Sequence, residues 1–455
     1  MTCDVVKMAH LSSSPCGVRP HGQHIGAARP DRRPAARHGP PLADGLGAAS
    51  TFWYRNSAML RALDLVEVGP APALHLELGR RLNVMTGDNG LGKSFVLDVI
   101  WWALSGSWAG SPAWPLVGAN EPEVSYRMDS GIGNTSRFRF ESQEWSPMGT
   151  RPRAIVLYAR ADGSFALWDP ARNLEPEDYK RPRDAKKTTL FATSDNTRRP
   201  PAYFFDPGEI LEGKLDHGKT LCNGLIRDWV SWQEKKPETQ GGRAFRHLCD
   251  ALVQLSPDPQ GGAETIRVGK PVRLFVDDTR EFPTIDMGYG EVPIIHASAG
   301  MRRIISLAYL IVWAWHEHVE ASRLLKQEPV SELVFLVDEV ENHLHPEWQR
   351  RIAPALLRVL EALAPSMRVQ AHLTTHAPMV LASLEPHFDP EQDKLFVFEL
   401  EARAVALREV PWARFGDASR WLTSPAFNLH QARSLEAEQA IDDASALMRD
   451  SWMGS

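Results

Sequence analysis

Cysteine is scarce: the 455 residues hold four, Cys3, Cys16, Cys222 and Cys249, and none forms a CxxC pair. A disulfide framework and a structural zinc site are therefore not expected, and the chain suits a reducing, cytoplasmic compartment. Long apolar runs are missing too. The longest, Ile304 to Trp315, is broken only by Ser306, and it falls short of the ~20 residues that cross a bilayer. It reads as a buried helix, and no membrane partner is expected. No opening stretch has the apolar core and small-residue cleavage site of a signal peptide. Basic charge is not in excess: 51 Lys and Arg stand against 57 Asp and Glu, a net charge of −6. That argues against a surface coated with nucleic acid and leaves room only for a local basic groove. What is present is the material of a core, 43% hydrophobic and 24% charged residues, which excludes a mostly disordered chain.

Residues 1–58 differ from the rest, with six Pro, six Gly and seven basic residues against three acidic ones. Such a composition cannot offset the cost of ordering the chain. A disordered arm is expected there, or a stretch upstream of a true start at Met59; a basic DNA-binding tail is the sharper alternative. From Met59 the chain is patterned. Leu60–Val66 and Leu74–Leu78 predict two strands around the Gly69-Pro70 turn, and Leu82–Met85 a third that enters a glycine-rich loop. Phe95–Leu104, apolar on several sides, predicts a buried helix. Strand, glycine loop and helix in that order begin an α/β nucleotide-binding unit over 59–104.

Residues 105–290 are less regular. Strands are expected at Arg137–Phe140, Ala154–Tyr158 and Phe165–Trp168, the last two joined at Asp162-Gly163, and helices at Leu221–Gln233 and Ala244–Leu255. The polar stretch Glu175–Pro201 reads as a loop, and the whole block as an inserted α+β arm or lobe. The α/β pattern resumes over 291–400 with a long helix, the apolar strand Leu333–Val337, another helix and a strand near Val369. Residues 401–455 form a C-terminal extension.

Two motifs carry the chemistry. Gly87-Asp88-Asn89-Gly90-Leu91-Gly92-Lys93-Ser94 satisfies G-x-x-x-x-G-K-[S/T]. Its glycines let backbone N–H groups wrap the α- and β-phosphates of ATP, and the helix that begins there adds its positive end. Lys93 would reach the β- and γ-phosphates, and the Ser94 hydroxyl would ligate Mg²⁺. The second motif is the apolar strand ending in Asp338-Glu339, two carboxylates at the end where open α/β sheets bind ligands. Asp338 would hold Mg²⁺ through water, and Glu339 would orient and deprotonate the attacking water. The separation of 245 positions from Lys93 to Asp338 is more than a compact nucleotide-binding core needs, so an insertion is expected between them.

These motifs resemble the ABC-type ATPases of the SMC/RecF group, and most closely the OLD-like AAA ATPases. Three further stretches carry that resemblance. Ser298-Ala299-Gly300-Met301-Arg302-Arg303 is similar to the S-x-G-x-[Q/R] signature, and the family implies that Ser298 and Gly300 of one subunit cap the γ-phosphate held by another. Glu341-Asn342-His343-Leu344-His345-Pro346 resembles the E-x-x-L-H-P segment near the subunit interface, with a zinc pair from His343 and His345 as the weaker reading. Thr374-Thr375-His376-Ala377-Pro378 resembles the switch histidine motif, which implies that His376 senses the γ-phosphate. The magnesium-contacting glutamine of many ABC ATPases has no clear counterpart; Gln143 is a weak candidate.

The fold class expected is thus α/β, a P-loop NTPase with an ABC-type head and a long α+β insertion between the glycine loop and the signature. The resemblance implies an ATP-dependent homodimer that hydrolyses ATP and drives an effector or DNA, plausibly in anti-phage defence. Seventy-nine residues follow His376, too few for a TOPRIM-like nuclease domain, so cutting would fall to a partner effector such as a nuclease. Lys180, Arg181, Arg183, Lys186, Lys187, Arg198 and Arg199 offer phosphate contacts for double-stranded DNA, against the plainer reading of a solvated loop balanced by acids. The rival functions are a RecF-type repair clamp, a non-hydrolysing ATP-dependent scaffold and a transporter's nucleotide-binding subunit.

Overall fold

The computed structural model describes residues 57 and 59–453, apart from 148–152, 174–200, 217, 263, 402–403, 428 and 430–432. The arm expected over 1–58 and the basic residues of the 175–201 loop therefore lie outside the described residues, save Ser57 and Pro201. In chain order, β1 (Leu60–Val66) and β2 (Ala73–Glu77) form a hairpin, and β3 (Leu82–Gly87) leads through the glycine loop into helix α1 (Lys93–Ser105). Strands β4 (Glu123–Met128), β5 (Gly133–Arg139) and β6 (Glu144–Trp145) complete an antiparallel five-stranded sheet, ordered β2-β1-β4-β5-β6. Next come β7 (Ile155–Ala159), β8 (Phe165–Trp168) and β9 (Tyr203–Phe205). Helices α2 (Pro207–Glu212), α3 (Leu225–Gln233) and α4 (Gln240–Leu255) follow, with short antiparallel strands scattered between 214 and 293. The order closes with α5 (Ala299–Leu325), β10 (Glu332–Val337), α6 (Pro346–Gln349), α7 (Ile352–Leu363), β11 (Arg368–Thr374), α8 (Pro378–Leu384), β12 (Asp393–Glu401), β13 (Ala404–Glu409), α9 (Ala418–Leu422) and α10 (Leu435–Met453).

The main sheet has eight strands in the order β13-β12-β3-β11-β10-β7-β8-β9. Its centre, β12 through β7, is parallel, and antiparallel strands finish both edges. A parallel strand with an unbroken apolar run needs cover on both faces, and β10, apolar from Leu333 to Val337, has it, with all six residues buried. Alternation along the strand sends Val334 and Leu336 to one core and Leu333, Phe335 and Val337 to the other. The first core is shared with α1 and the five-stranded sheet; the second is built with α3, α4, α5, α7 and α8. Helix α1 is apolar on several sides because it is wedged between two sheets, and Trp101 is fully buried there.

Residues 105–290, expected as an inserted arm or lobe, pack onto the main sheet: β7 pairs in parallel with β10, and α3 and α4 join the helical core beside α5 and α7. The physical reason is that β7 is apolar at all five positions and closes what would be an open edge of β10. Helix boundaries also shift. The helix expected from Leu221 starts at Leu225, because Lys219–Cys222 is a strand and Gly224 turns the chain with φ +87°. The helix expected from Ala244 starts at Gln240, where the Thr239 hydroxyl accepts the Gly242 N–H at 3.1 Å.

The histidines of α5 are partnered within the core. His316 faces His247 at 3.0 Å, and burial holds its pKa down at about 4. His318 Nε2 accepts the Val330 N–H at 3.0 Å, so its Nδ1–H donates to Asp169 at 2.7 Å. Ser322 lies 3.4 Å from the same Nε2, which mimics a Ser-His-Asp triad, but all three residues are at most 2% exposed. No substrate could reach them, and the trio is a structural bond between α5 and the turn after β8. Asp169→Ala leaves the His318 N–H unpaired and is expected to cost on the order of 3 kcal/mol, read as a lower denaturation midpoint with unchanged m-value. A loss too small to resolve would show that the pair contributes nothing.

Candidate active site

The site forms where β3, β11 and β10 end side by side. Strand β3 delivers a loop whose Gly87, Gly90 and Gly92 all have left-handed φ, at +128°, +78° and +98°. At two of them a side chain is also excluded by its neighbours. A Cβ on Gly87 would lie 2.1 Å from the Phe398 carbonyl oxygen, and one on Gly92 2.5 Å from Pro70. Lys93 and Ser94 follow on the first turn of α1. The Lys93 ammonium donates to the Gly87 and Asp88 carbonyls at 2.9 and 2.7 Å, which holds it over the loop with one donor to spare. Asn89 and Leu91 complete the curve, Leu91 anchoring it in the core.

Asp338 follows β10 directly and is buried. Its Oδ1 accepts the Ser94 hydroxyl at 3.0 Å and the Thr374 hydroxyl at 2.6 Å. Thr374 ends β11, the strand between β3 and β10, and its oxygen also accepts the Glu339 N–H at 2.7 Å. One hydroxyl therefore sets both carboxylate residues. Glu339 itself is left-handed at φ +48°, a conformation that costs about 1–2 kcal/mol for a non-glycine residue and marks functional turns. Its carboxylate lies 3.9 Å from His376 Nε2. The His376 backbone N–H donates to Glu341 Oε1, while Glu341 Oε2 is buried without a partner among the described residues. Burial first, and then the nearby Lys93 charge, hold the His376 pKa below its ordinary value, so the ring is neutral at neutral pH.

The signature segment meets this turn from behind. Ser298 is the exposed N-cap of α5, its oxygen accepting the Met301 N–H at 3.3 Å. Gly300 permits close packing, because a Cβ there would sit 2.5 Å from the His343 carbonyl oxygen. Arg303 donates to the Ala161, Asp338 and Glu339 carbonyls at 3.1, 3.0 and 3.2 Å, and burial lowers its pKa. No hydrogen bond joins Ser298 or Gly300 to the glycine loop of the same chain among the described residues.

The geometry thus gathers Lys93, Ser94, Asp338, Glu339 and His376, and leaves Ser298 facing outward. Hard oxygens of Ser94 and Asp338 at hydrogen-bond distance make a donor pair suited to Mg²⁺. Thr374, Arg303 and Glu341 carry roles that their motifs alone did not disclose. Gln143 sits in the turn between β5 and β6, exposed with φ +54°, on the sheet that lacks β3 and β10. His345 accepts the Glu347 N–H as the cap of α6, while His343 turns left-handed at φ +63°.

Residues 271–382 match the family model described as "AAA domain, putative AbiEii toxin, Type IV TA system". The fold is a mixed α/β one in which a glycine loop joins the parallel strand β3 to helix α1. The match takes in Ser298, Asp338, Glu339 and His376 but not the glycine loop, which lies N-terminal to it at residues 87–94. Similar solved structures include an SMC head bound to the C-terminal winged-helix domain of ScpA, at 13% identity and TM-score 0.39 over 78% of this chain and 98% of that one. Another is the SMC head domain from Thermotoga maritima, at 14% identity and TM-score 0.37 over 77% and 99%. A third is the recombination mediator RecF with ATPrS, at 13% identity and TM-score 0.33 over 75% and 97%.

Burial pushes the Lys93 pKa down to about 8, against the opposing pull of Asp338 and Glu339. Its depressed value makes a stability contribution that is fully present above the ordinary lysine pKa and lost as pH falls through about 8. Polyphosphate needs the ammonium charged. The affinity of this loop for a polyphosphate is therefore expected to fall as pH rises through 8, toward about tenfold per unit, with proton uptake on binding near pH 9. Titration calorimetry in buffers of different ionisation enthalpy reads both; binding without proton uptake at pH 9 would contradict the shift.

Proposed function

We propose that this chain is a Mg²⁺-dependent ATPase that closes as a homodimer around two nucleotides. One observation carries the reading: Asp338 is shared by the hydroxyls of Ser94 and Thr374 beside the Lys93 loop. Lys93 and the backbone N–H groups of 87–94 would hold the phosphates. Ser94 and Asp338 would hold Mg²⁺, which offsets charge on the phosphate oxygens. Glu339 accepts the proton of the attacking water, and neutral His376 donates its N–H to the γ-phosphate. Ser298 and the Gly300 N–H, presented outward at the start of α5, complete the site of a second copy.

Within this class, the Glu341-Asn342-His343-Leu344-His345-Pro346 segment favours the OLD-like ATPases. Its turnover would be passed to a partner effector such as a nuclease in anti-phage defence, in the cytoplasm. A matched family described by a TA-system toxin favours a chain that works beside a partner.

Steady-state ATP hydrolysis by the purified chain, with and without double-stranded DNA, tests the reading. Glu339→Gln is expected to keep ATP binding and lower kcat by about 10²–10⁴, while Lys93→Ala abolishes binding. Ser298→Arg should stop both hydrolysis and ATP-dependent dimerisation, read by light scattering. A Glu339→Gln enzyme of normal rate removes Glu339 as the base, and an unaffected Ser298→Arg chain removes the two-copy site. Stimulation by DNA would favour the repair-clamp alternative over a protein-governed effector.

A further inference from the structure

A second cluster of charge lies on the helical face, away from the nucleotide site. Arg350, Arg351 and Arg358 line a cavity of about 270 Å³ beside α7 and α8, together with Pro354, Ser383 and His387. No residue of the glycine loop, the signature or the Asp338-Glu339 turn takes part in it, and no carboxylate lines it. Arg351 is the N-cap of α7 and Arg358 lies on that helix, and both guanidiniums line the same cavity.

Among the described residues, none of these three side chains has a hydrogen-bond or ion-pair partner. Several other arginines of the chain are neutralised by carboxylates: Arg81 pairs with Asp393, Arg280 with Asp278 and Glu212, Arg368 with Glu332; what sets these three apart is that they share one cavity. Unpaired like charges around one cavity repel, and packing offers them no return. Their field is felt at His387, where burial first and then Arg358 and Arg81 lower the imidazole pKa. Arg350, Arg351 and His387 are exposed and Arg358 half-buried, so the forks remain open to a ligand from solvent.

We propose that this cavity is a phosphate-binding site distinct from the nucleotide loop, in which the three guanidiniums grip phosphoryl oxygens as bidentate forks. The same oxyanion could come from a nucleic-acid backbone or from a free phosphate compound.

The test uses the full chain carrying Lys93→Ala, so that the glycine loop does not compete. Two probes are titrated: a fluorescein-labelled DNA duplex by anisotropy across a salt series, and inorganic pyrophosphate by calorimetry. Arg351→Glu and Arg358→Glu are each compared with Arg227→Glu, an exposed arginine on α3 outside the cavity; Arg358→Gln guards against a reversal that disturbs folding. The expected result is a loss of at least about tenfold in affinity for one probe in the cavity variants, with Arg227→Glu unchanged. If the duplex is the probe affected, its log–log salt slope should shrink by about one per lost contact, and the source is a nucleic acid. If pyrophosphate alone is affected, the source is a free phosphate compound. Absence of binding by both probes overturns the proposal, as does equal weakening by Arg227→Glu.

Discussion

A single buried carboxylate joins the parts of this site. Asp338 is out of water at the end of an apolar strand, where an ionised group without partners would cost several kcal/mol. It is kept there by two hydroxyls, Ser94 from 244 residues away and Thr374 from 36. The requirement reaches outward into the fold. Thr374 can meet Asp338 only if β11 lies between β3 and β10, and Ser94 only if the glycine loop curls back over the strand ends. The sheet order and the glycine φ values are what let one oxygen be shared by both.

The turn after Asp338 is held from both sides. Thr374 takes the Glu339 N–H, and Arg303 takes the Asp338 and Glu339 carbonyls, so the left-handed Glu339 is over-determined by its surroundings. Arg303 belongs to the first turns of α5, and Gly300 on the same helix touches the His343 carbonyl. The helix that presents Ser298 is therefore coupled rigidly to the carboxylate proposed as base. In the proposed dimer, a phosphate engaged by Ser298 of one copy would bear directly on Glu339 of that same copy.

Burial separates chemistry from its imitations in this chain. Ser322, His318 and Asp169 have the residue types and near-contacts of a nucleophilic triad, yet they are sealed in the core. Glu339 and His376, at side-chain exposures of 37% and 29%, keep access to solvent. A histidine beside a carboxylate is sealed in the core in one place and open to solvent in the other.

Each stretch legible in the residues was local. Gly87–Ser94, Ser298–Arg303, Asp338-Glu339 and Thr374–Pro378 are short, and each answers a backbone or charge demand that its own residue types meet. The helix after the glycine loop and the strand before Asp338 were legible for the same reason, since apolar period is a property of neighbours in the chain. Placement of β7 in the main sheet was not, because an apolar strand carries no mark of which edge it will cover. Nor were the parts of Thr374, Arg303 and Glu341, although all three stand inside motifs that were read. The sequence by itself determined which groups could bind phosphate and metal. Only the tertiary structure decided which hydroxyl and which guanidinium hold them in place, because those bonds join residues 35 or more positions apart and depend on strand order, which no local pattern encodes.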